Sequence, residues 1–244
     1  LEAAITPKTK AFIFSTPCNP SGSVYTKEEL ASLVEVFKKY PRIIVLSDEI
    51  YEFIQYEQKH ESMGQFTELK DRLVIINGVA KGYAMTGWRI GYIAAPKAIV
   101  SACNKIQGQY TSGICTIAQA ASLEAVKMSP ENSEEIQTML KAFRNRRDMF
   151  FELLSEIPGL KLSKPAGAFY MFPEVKSYFG KTDGETTINN SDDLCLYLLN
   201  KAHVACVAGA AFGNEECIRL SYATSEDKLR EAAARIKEAL SKLK

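Results

Sequence analysis

Side chains that could do chemistry follow three strand-like runs of the sequence, each at the point where the run ends. They are an amide, a carboxylate, a phenol, an amine and a guanidinium: Asn19, Asp48, Tyr51, Lys81 and Arg89. In open parallel sheets, ligands bind beyond the carboxyl ends of the strands, so we expect these groups to converge there. Buried charges of this kind need a ligand or partner that neutralises them. Singly, each has a simpler explanation: a turn for Asn19, a helix cap for Asp48 and a surface position for Lys81.

The five groups together match what a pyridoxal cofactor requires. Its aldehyde condenses with an amine such as Lys81, and its ring nitrogen must stay protonated, which a carboxylate such as Asp48 favours. The ring hydroxyl needs hydrogen-bond donors such as Tyr51 and Asn19, and the phosphate needs a guanidinium such as Arg89. The pattern therefore predicts a pyridoxal 5'-phosphate (PLP) site. No spacing of cysteines or histidines indicates a metal site.

Six stretches of the sequence resemble the class I aminotransferases of PLP fold type I, and they occur in that family's order. They are Asn19-Pro-Ser-Gly22, Ser47-Asp-Glu-Ile-Tyr51, Gly78-Val-Ala-Lys-Gly-Tyr-Ala-Met-Thr-Gly-Trp-Arg-Ile-Gly-Tyr92, Gly167-Ala-Phe-Tyr170, Gly209-Ala-Ala-Phe-Gly213 and Ile218-Arg-Leu-Ser221. The resemblance covers essentially the whole chain. It is strongest to the bacterial aspartate aminotransferases that carry Met-Thr-Gly-Trp-Arg.

The resemblance implies a role for each residue of the predicted cofactor site. Lys81 is the Schiff-base lysine and the general base, and Asp48 is the partner of the ring nitrogen. Tyr51 and Asn19 donate to the ring hydroxyl, and Arg89 binds the phosphate. Lys81, Asp48 and Tyr51 are therefore the predicted catalytic residues.

The same resemblance implies the substrates and the assembly. Arg219, together with Asn19, is predicted to bind the α-carboxylate of the substrate, because a guanidinium fork suits a planar carboxylate. The implied reaction is ping-pong transamination between amino acids and 2-oxo acids, with aspartate and 2-oxoglutarate as the expected pair. The full-length protein is expected to be a homodimer.

Two departures from the family pattern qualify this interpretation. Family members often carry a phosphate-binding serine three residues before the lysine, where this chain has Gly78. The upstream portion of the family, which carries the phosphate loop and the aromatic residue that stacks on the pyridine, has no counterpart here. We therefore expect the chain to be the C-terminal portion of such an enzyme, with weak PLP binding and little or no activity by itself.

The elements that must position these residues predict an α/β fold. Up to about residue 125, short β-branched runs alternate with amphipathic segments, which favours a mostly parallel sheet with flanking helices. The run Ile90–Ala95 follows the third strand closely, so it is expected to pair antiparallel or to lie at an edge. A long helix from Ser129 leads into a smaller α+β domain, and the predicted domains are residues 1–135 and 136–244. Arginines on that helix are expected to form a solvated or interface face: Arg144, Arg146 and Arg147.

Composition limits the partners and the compartment. Lys and Arg number 30 against 29 Asp and Glu, so no net field attracts nucleic acid or an anionic membrane. No apolar run reaches the length that a membrane span needs. The six cysteines are expected to be small buried hydrophobic residues without disulfides, as in a cytoplasmic protein: Cys18, Cys103, Cys115, Cys195, Cys206 and Cys217.

Other functions stay open on the sequence alone. The same residues would serve an aromatic or alanine aminotransferase or a β-lyase, and a non-catalytic dimerisation or regulatory relative is a further alternative. The run Ile43–Glu49 is similar to a Walker B strand, but no Walker A motif accompanies it. His60 and His203 lie far from every motif in sequence, so we interpret both as structural.

Overall fold

The computed structural model describes residues 1–244, which form two compact units. The first comprises Leu1–Cys18 and Ser23–Thr138, and the second comprises Asn19–Gly22 and Met139–Lys244. The short turn that carries Asn19 therefore belongs to the second unit, although its neighbours in sequence belong to the first. The division into residues 1–135, as the C-terminal part of a PLP-binding large domain, and residues 136–244, as a small domain, stays a prediction.

A four-stranded sheet forms the centre of the first unit. Its strands are β1 (Ala11–Ser15), β2 (Ile44–Asp48), β3 (Leu73–Gly78) and β4 (Gly91–Ala94), and they lie side by side in that order. The first three are mutually parallel, whereas β4 runs antiparallel to β3, with Gly78 opposite Gly91. The mostly parallel sheet and its antiparallel edge strand are therefore confirmed. The carboxyl ends of β2 and β3 lie side by side at one edge.

Three helices accompany this sheet: α1 (Lys27–Lys39), α2 (Lys97–Tyr110) and α3 (Thr116–Lys127). The predicted capping box begins α1, since Thr26 Oγ1 accepts from the Glu29 N–H while the Glu29 carboxylate accepts from the Thr26 N–H. The apolar face of α1 packs against the sheet in a core of buried side chains: Leu30, Val34, Phe37, Ile43, Val45, Met63, Leu69 and Leu73.

The second unit contains a small antiparallel sheet and three helices. Its strands are β5 (Tyr170–Met171), β6 (Val207–Ala208) and β7 (Ile218–Ser221), with β7 in the middle. The helices are α4 (Glu134–Ser155), which begins in the first unit, α5 (Ser191–Tyr197) and α6 (Glu226–Ser241). The apolar face predicted for α6 is buried throughout: Leu229, Ala233, Ile236, Leu240 and Leu243.

One arginine of the predicted solvated cluster on α4 lies in the core instead. Arg147 is 2% exposed, and its guanidinium donates to the Pro165 carbonyl at 3.1 Å and to the Asp148 carboxylate at 2.9 Å. Lys164 contacts the same carboxylate at 2.8 Å. The prediction was wrong for Arg147 because a carbonyl and a carboxylate, which the helical pattern does not reveal, compensate the buried charge.

Short turns of 3₁₀ helix complete the fold at Glu2–Ala4, Met63–Gln65, Thr67–Leu69, Thr86–Trp88, Pro130–Asn132, Lys176–Tyr178 and Gly209–Phe212, and a π-helical turn spans Leu198–Ala202. None of the helices has the length and apolar character needed to cross a membrane. The cysteines differ from the predicted burial, because Cys217 alone is buried while Cys103 and Cys115 are exposed. Those two residues lie on or beside helices whose outer faces are solvent-accessible.

Candidate active site

Asp48 ends β2, where the strand gives way to a turn. Its carboxylate is half-buried, and Oδ1 accepts a hydrogen bond of 3.1 Å from the Ile50 N–H. Burial raises the pKa of Asp48 above its ordinary value, and the neighbouring Glu49 charge raises it further, while the Ile50 N–H acts in the opposite direction. A cation beside Asp48 would relieve this cost. The position therefore suits a protonated ring nitrogen.

Lys81 and Tyr51 bring an amine and a phenol together. The Lys81 ammonium lies 5.6 Å from the centroid of the Tyr51 ring, which is itself 4% exposed. Lys81 sits three residues after the end of β3, and Tyr51 three residues after the end of β2, so two parallel neighbours position them. Cation–π attraction of this kind favours a position of the Lys81 ammonium over the Tyr51 ring.

Glycines on both sides of Lys81 allow the backbone to pack closely. A Cβ on Gly78 would lie 2.8 Å from the Ile90 carbonyl oxygen, and a Cβ on Gly82 would lie 2.5 Å from the Phe53 ring. The first contact arises because Gly78 pairs with Gly91 on the antiparallel strand β4. Gly78 therefore suits this backbone better than the family's serine would, because a side chain at position 78 would require the strand pair to shift.

Arg89 follows a single 3₁₀ turn and occupies the left-handed region of backbone space, with φ of 56°. Ala84, five residues earlier, also has a positive φ, of 54°. Such conformations are costly for residues other than glycine and cluster at functional sites. The Arg89 side chain is exposed and donates to the Thr86 carbonyl at 3.1 Å, so its guanidinium is accessible to an anion.

A second constellation, in the other unit, joins Asn19 to Arg219. The Arg219 guanidinium, on β7, donates to Asn19 Oδ1 at 2.9 Å. Its central carbon lies 4.6 Å from the centroid of the Tyr170 ring and 4.8 Å from that of Phe212. The aromatic contacts fix the plane of the guanidinium, and the bond to Oδ1 leaves the Asn19 Nδ2 group as a donor for a ligand.

The turn that presents Asn19 is anchored within its own unit. The Gly22 carbonyl accepts from the backbone N–H groups of Ala166 and Gly167, each at 2.9 Å. Gly22 has φ of +69°, and a Cβ there would lie 2.3 Å from the Pro165 Cβ. Only glycine fits, because both the backbone conformation and the close approach exclude a side chain. This contact brings the Asn-Pro-Ser-Gly turn next to the start of the Gly-Ala-Phe-Tyr stretch.

A buried contact between Glu49 and His60, beside Asp48, was not predicted from the sequence. Glu49 is 1% exposed, and its carboxylate contacts His60 Nε2 at 3.0 Å, the Ser47 hydroxyl at 2.9 Å and the Met63 N–H at 3.0 Å. Burial alone would raise the pKa of Glu49, but hydrogen bonds from His60, Ser62 and Ser47 outweigh it and hold the pKa below its ordinary value. The period of two that continues from β2 to Glu49 indicates that Ser47 and Glu49 share a face, but it does not reveal His60 as the partner.

The predicted site residues thus occupy two groups. In the first unit, Lys81 lies beside Tyr51, Asp48 ends β2 and Arg89 ends the 3₁₀ turn before β4. In the second unit, Asn19 is bonded to Arg219. The donor set of the first unit fits PLP, because a cation would relieve the cost of the half-buried Asp48 carboxylate and the Lys81 amine lies in the same unit beside a phenol.

Comparison with known proteins places the chain in a family. The family model described as aminotransferase class I and II matches residues 1–236. Curated relatives include a bifunctional aspartate aminotransferase and glutamate/aspartate-prephenate aminotransferase of Petunia hybrida, 47% identical over 100% of this chain and 51% of its own length. An aspartate aminotransferase of Pinus pinaster is 45% identical over 95% of this chain and 48% of its own length.

Solved structures agree with this assignment. A crystal structure of an aspartate aminotransferase from Rhizobium meliloti superposes with a TM-score of 0.93 and 40% identity, covering 100% of this chain and 61% of that one. An aromatic aminotransferase from Pyrococcus horikoshii gives a TM-score of 0.88 at 35% identity, covering 98% and 62%. The chain therefore has the fold of these enzymes and spans about half to three-fifths of their length.

Proposed function

Because the chain belongs to the class I and II aminotransferases, we propose that it carries the lysine, the ring-nitrogen partner and the substrate arginine of a PLP-dependent aminotransferase. The observation that carries this proposal is the placement of Lys81 over Tyr51 at the carboxyl ends of the parallel strands that also present Asp48. When bound, PLP supplies an aldehyde that condenses with amines and a ring that accepts the electron pair of a broken C–H bond.

The residues of the first unit would then bind the cofactor and move protons. Asp48 keeps the ring nitrogen protonated, because a carboxylate in a half-buried position favours a neighbouring cation. The Lys81 amine, when not charged, takes the α-proton of the substrate and returns it, acting as general base and then general acid. Tyr51 donates to the ring hydroxyl, and Arg89 binds the phosphate by its guanidinium fork.

The residues of the second unit would bind the substrate. Arg219 presents two parallel N–H donors whose plane is set by Tyr170 and Phe212, which suits the α-carboxylate common to amino acids and 2-oxo acids. Asn19 orients this guanidinium and offers its own amide N–H groups. We propose aspartate and 2-oxoglutarate as substrates, because relatives from plants bear the name aspartate aminotransferase.

An aromatic amino acid is a second candidate substrate. The support is the 35% identity to the aromatic aminotransferase from Pyrococcus horikoshii. Aspartate and phenylalanine are each titrated into the PLP-loaded chain, and the half-saturating concentration is read from the cofactor's absorbance. A lower concentration for aspartate supports the first candidate, and a lower one for phenylalanine supports the second.

The test of the proposed function is the variant Arg219→Lys. Lysine keeps the charge but loses the bidentate fork and the stacked plane. The aspartate concentration that half-saturates the PLP-loaded chain, read from the cofactor's absorbance, is therefore expected to rise about tenfold to a hundredfold. Arg230→Lys, at an exposed position of α6, is the matched control and should change nothing. An unchanged half-saturating concentration in Arg219→Lys would contradict the proposed role.

A further inference from the structure

Two cysteines of the second unit lie in direct contact. The sulfur atoms of Cys195 and Cys206 are 3.3 Å apart, and both side chains are half-buried. The thiol of Cys206 donates a hydrogen bond to the sulfur of Cys195. A disulfide bond requires a sulfur–sulfur distance of about 2.05 Å, so the remaining approach is a little over an ångström. The transamination proposed above uses neither residue.

The backbone between the two cysteines holds them in this position. Cys195 lies on α5, after which the chain passes through the π-helical turn Leu198–Ala202 and reaches Cys206 directly before β6. The N–H groups of His203 and Val204 return to the carbonyls of Leu199 and Leu198 at 3.1 and 3.2 Å. Hydrogen bonds to the π-helical turn therefore hold both His203 and Val204, the residues that lead the chain towards Cys206. This backbone arrangement places the two thiols close together.

The shared hydrogen bond makes the two thiols chemically unequal. It lowers the pKa of Cys195, which accepts the bond, against the effect of burial. It raises the pKa of Cys206, which donates the bond, and burial acts in the same direction. Since the thiolate is the nucleophile in thiol–disulfide exchange, Cys195 is the member of the pair suited to attack first.

We propose that Cys195 and Cys206 form a reversible dithiol–disulfide site that small disulfides such as oxidised glutathione oxidise. The Cys195 thiolate, having released its proton to water, attacks one sulfur of the small disulfide, forms a mixed disulfide and expels one thiolate, which is protonated. Cys206 then loses its proton and attacks the sulfur of Cys195, which forms the internal disulfide and expels the second thiolate. The two protein thiols are oxidised, and one small disulfide is reduced to two thiols.

The site is next to the strand that carries the proposed substrate arginine. Cys206 immediately precedes Val207, whose Cα is paired with that of Arg219 in the register of β6 and β7. A disulfide would tie α5 to the start of β6. The chemistry of the cysteine pair is independent of the proposed transamination, so failure of either proposal leaves the other testable.

The test is oxidation of the whole chain in buffers of rising oxidised-to-reduced glutathione ratio, followed by alkylation and peptide mapping. Trypsin cleaves after Lys201, between the two cysteines, and a glutamate-specific protease cleaves at Glu215 and Glu216, which separates Cys206 from Cys217. The expected product is one disulfide-linked peptide pair containing Cys195 and Cys206. Alkylatable thiols fall from six to four and return to six with dithiothreitol.

Variants identify the pair. Cys195→Ser and Cys206→Ser should each abolish the linked peptides, whereas Cys103→Ser, at an exposed position, should leave them unchanged. Far-ultraviolet circular dichroism checks that each variant folds. If a variant does not fold, peptide mapping of the unsubstituted chain still tests the proposal. Three results would overturn the proposal. Cys195 and Cys206 could both stay alkylatable in fully oxidised buffer, they could carry only separate glutathione adducts, or they could link to other cysteines.

Discussion

Asp48 illustrates how a single residue meets opposing demands of stability and function. Its carboxylate is half-buried beside a second carboxylate, Glu49, and both conditions penalise its charged form. The same conditions favour a cationic group brought next to it, such as a protonated ring nitrogen. The residue thus destabilises the chain alone and would stabilise the complex with the cofactor.

Asp48→Asn is therefore expected to stabilise the ligand-free chain and to weaken PLP binding. Because burial raises the pKa of Asp48, its carboxyl group costs stability as pH rises through the unfolded and then the folded pKa, and asparagine removes this loss. The urea midpoint at neutral pH should rise, and the dissociation constant for PLP should increase about tenfold or more. Asp71→Asn, at an exposed site, is the control. A lower midpoint together with unchanged PLP affinity would contradict this account.

Gly78→Ser tests the steric explanation for the missing serine. The new Cβ would lie 2.8 Å from the Ile90 carbonyl oxygen, so the β3–β4 pairing must shift. Overpacking of this kind costs about 1–3 kcal/mol of unfolding free energy. Gly87→Ser is the matched control, since a Cβ there has nothing within 4 Å. Urea denaturation measures both variants, and equal stabilities would show that the strand pair adapts without cost.

At the scale of elements, side chains at the end of β2 point to two faces of the sheet and have different roles on each face. Alternation along the strand puts Ser47 and Glu49 on the buried face, where Glu49 bonds the Met63 N–H and His60 and so fastens the segment that follows the strand. Asp48, on the other face, is left for the proposed ligand. A strand of ordinary length thus anchors a loop and presents a functional carboxylate at the same time.

Glu49 makes the stability of this element depend on pH. Its folded pKa lies below the unfolded value near 4.5, so its contribution is fully present above that value and is lost as pH falls through the folded pKa. Glu49→Gln should lower the unfolding free energy at pH 7 by about 1–3 kcal/mol and flatten the acid limb of the stability curve. Urea midpoints from about pH 7 to pH 3 measure this, with exposed Glu68→Gln as control. An acid limb as steep as that of the unsubstituted chain would exclude the role of Glu49.

At the scale of the whole molecule, much of the fold could be predicted from local pattern. The capping box of α1, the parallel strands and the antiparallel edge strand follow from periodicity, turn residues and a short connection, and the structure confirms them. The buried Arg147, the Glu49–His60 pair and the contact of Cys195 with Cys206 could not be predicted. Each depends on a partner brought close only by the tertiary fold, which no local spacing reveals.

The candidate site also contains residues that local sequence predicts and contacts that only the tertiary fold creates. Residue types and strand ends predicted Asp48, Tyr51 and Lys81 as site residues without a structure, because ligands of open parallel sheets bind at the carboxyl ends of the strands. The bond from Arg219 to Asn19 joins positions 200 residues apart in sequence, and only the structure could supply it. The structure also provided the reason for Gly78, which sequence comparison alone presents as a departure.

The most direct test of the central claim is borohydride reduction of the chain incubated with PLP. Reduction fixes the cofactor on the amine it has condensed with, and a modified Lys81 resists trypsin, which yields the uncut peptide Leu73–Arg89. We predict that Lys81 is labelled at low PLP concentration, well before exposed lysines such as Lys97, and that Asp48→Asn reduces this preference. Label spread over exposed lysines, with Lys81 unmodified, would contradict the assignment of this chain's cofactor site.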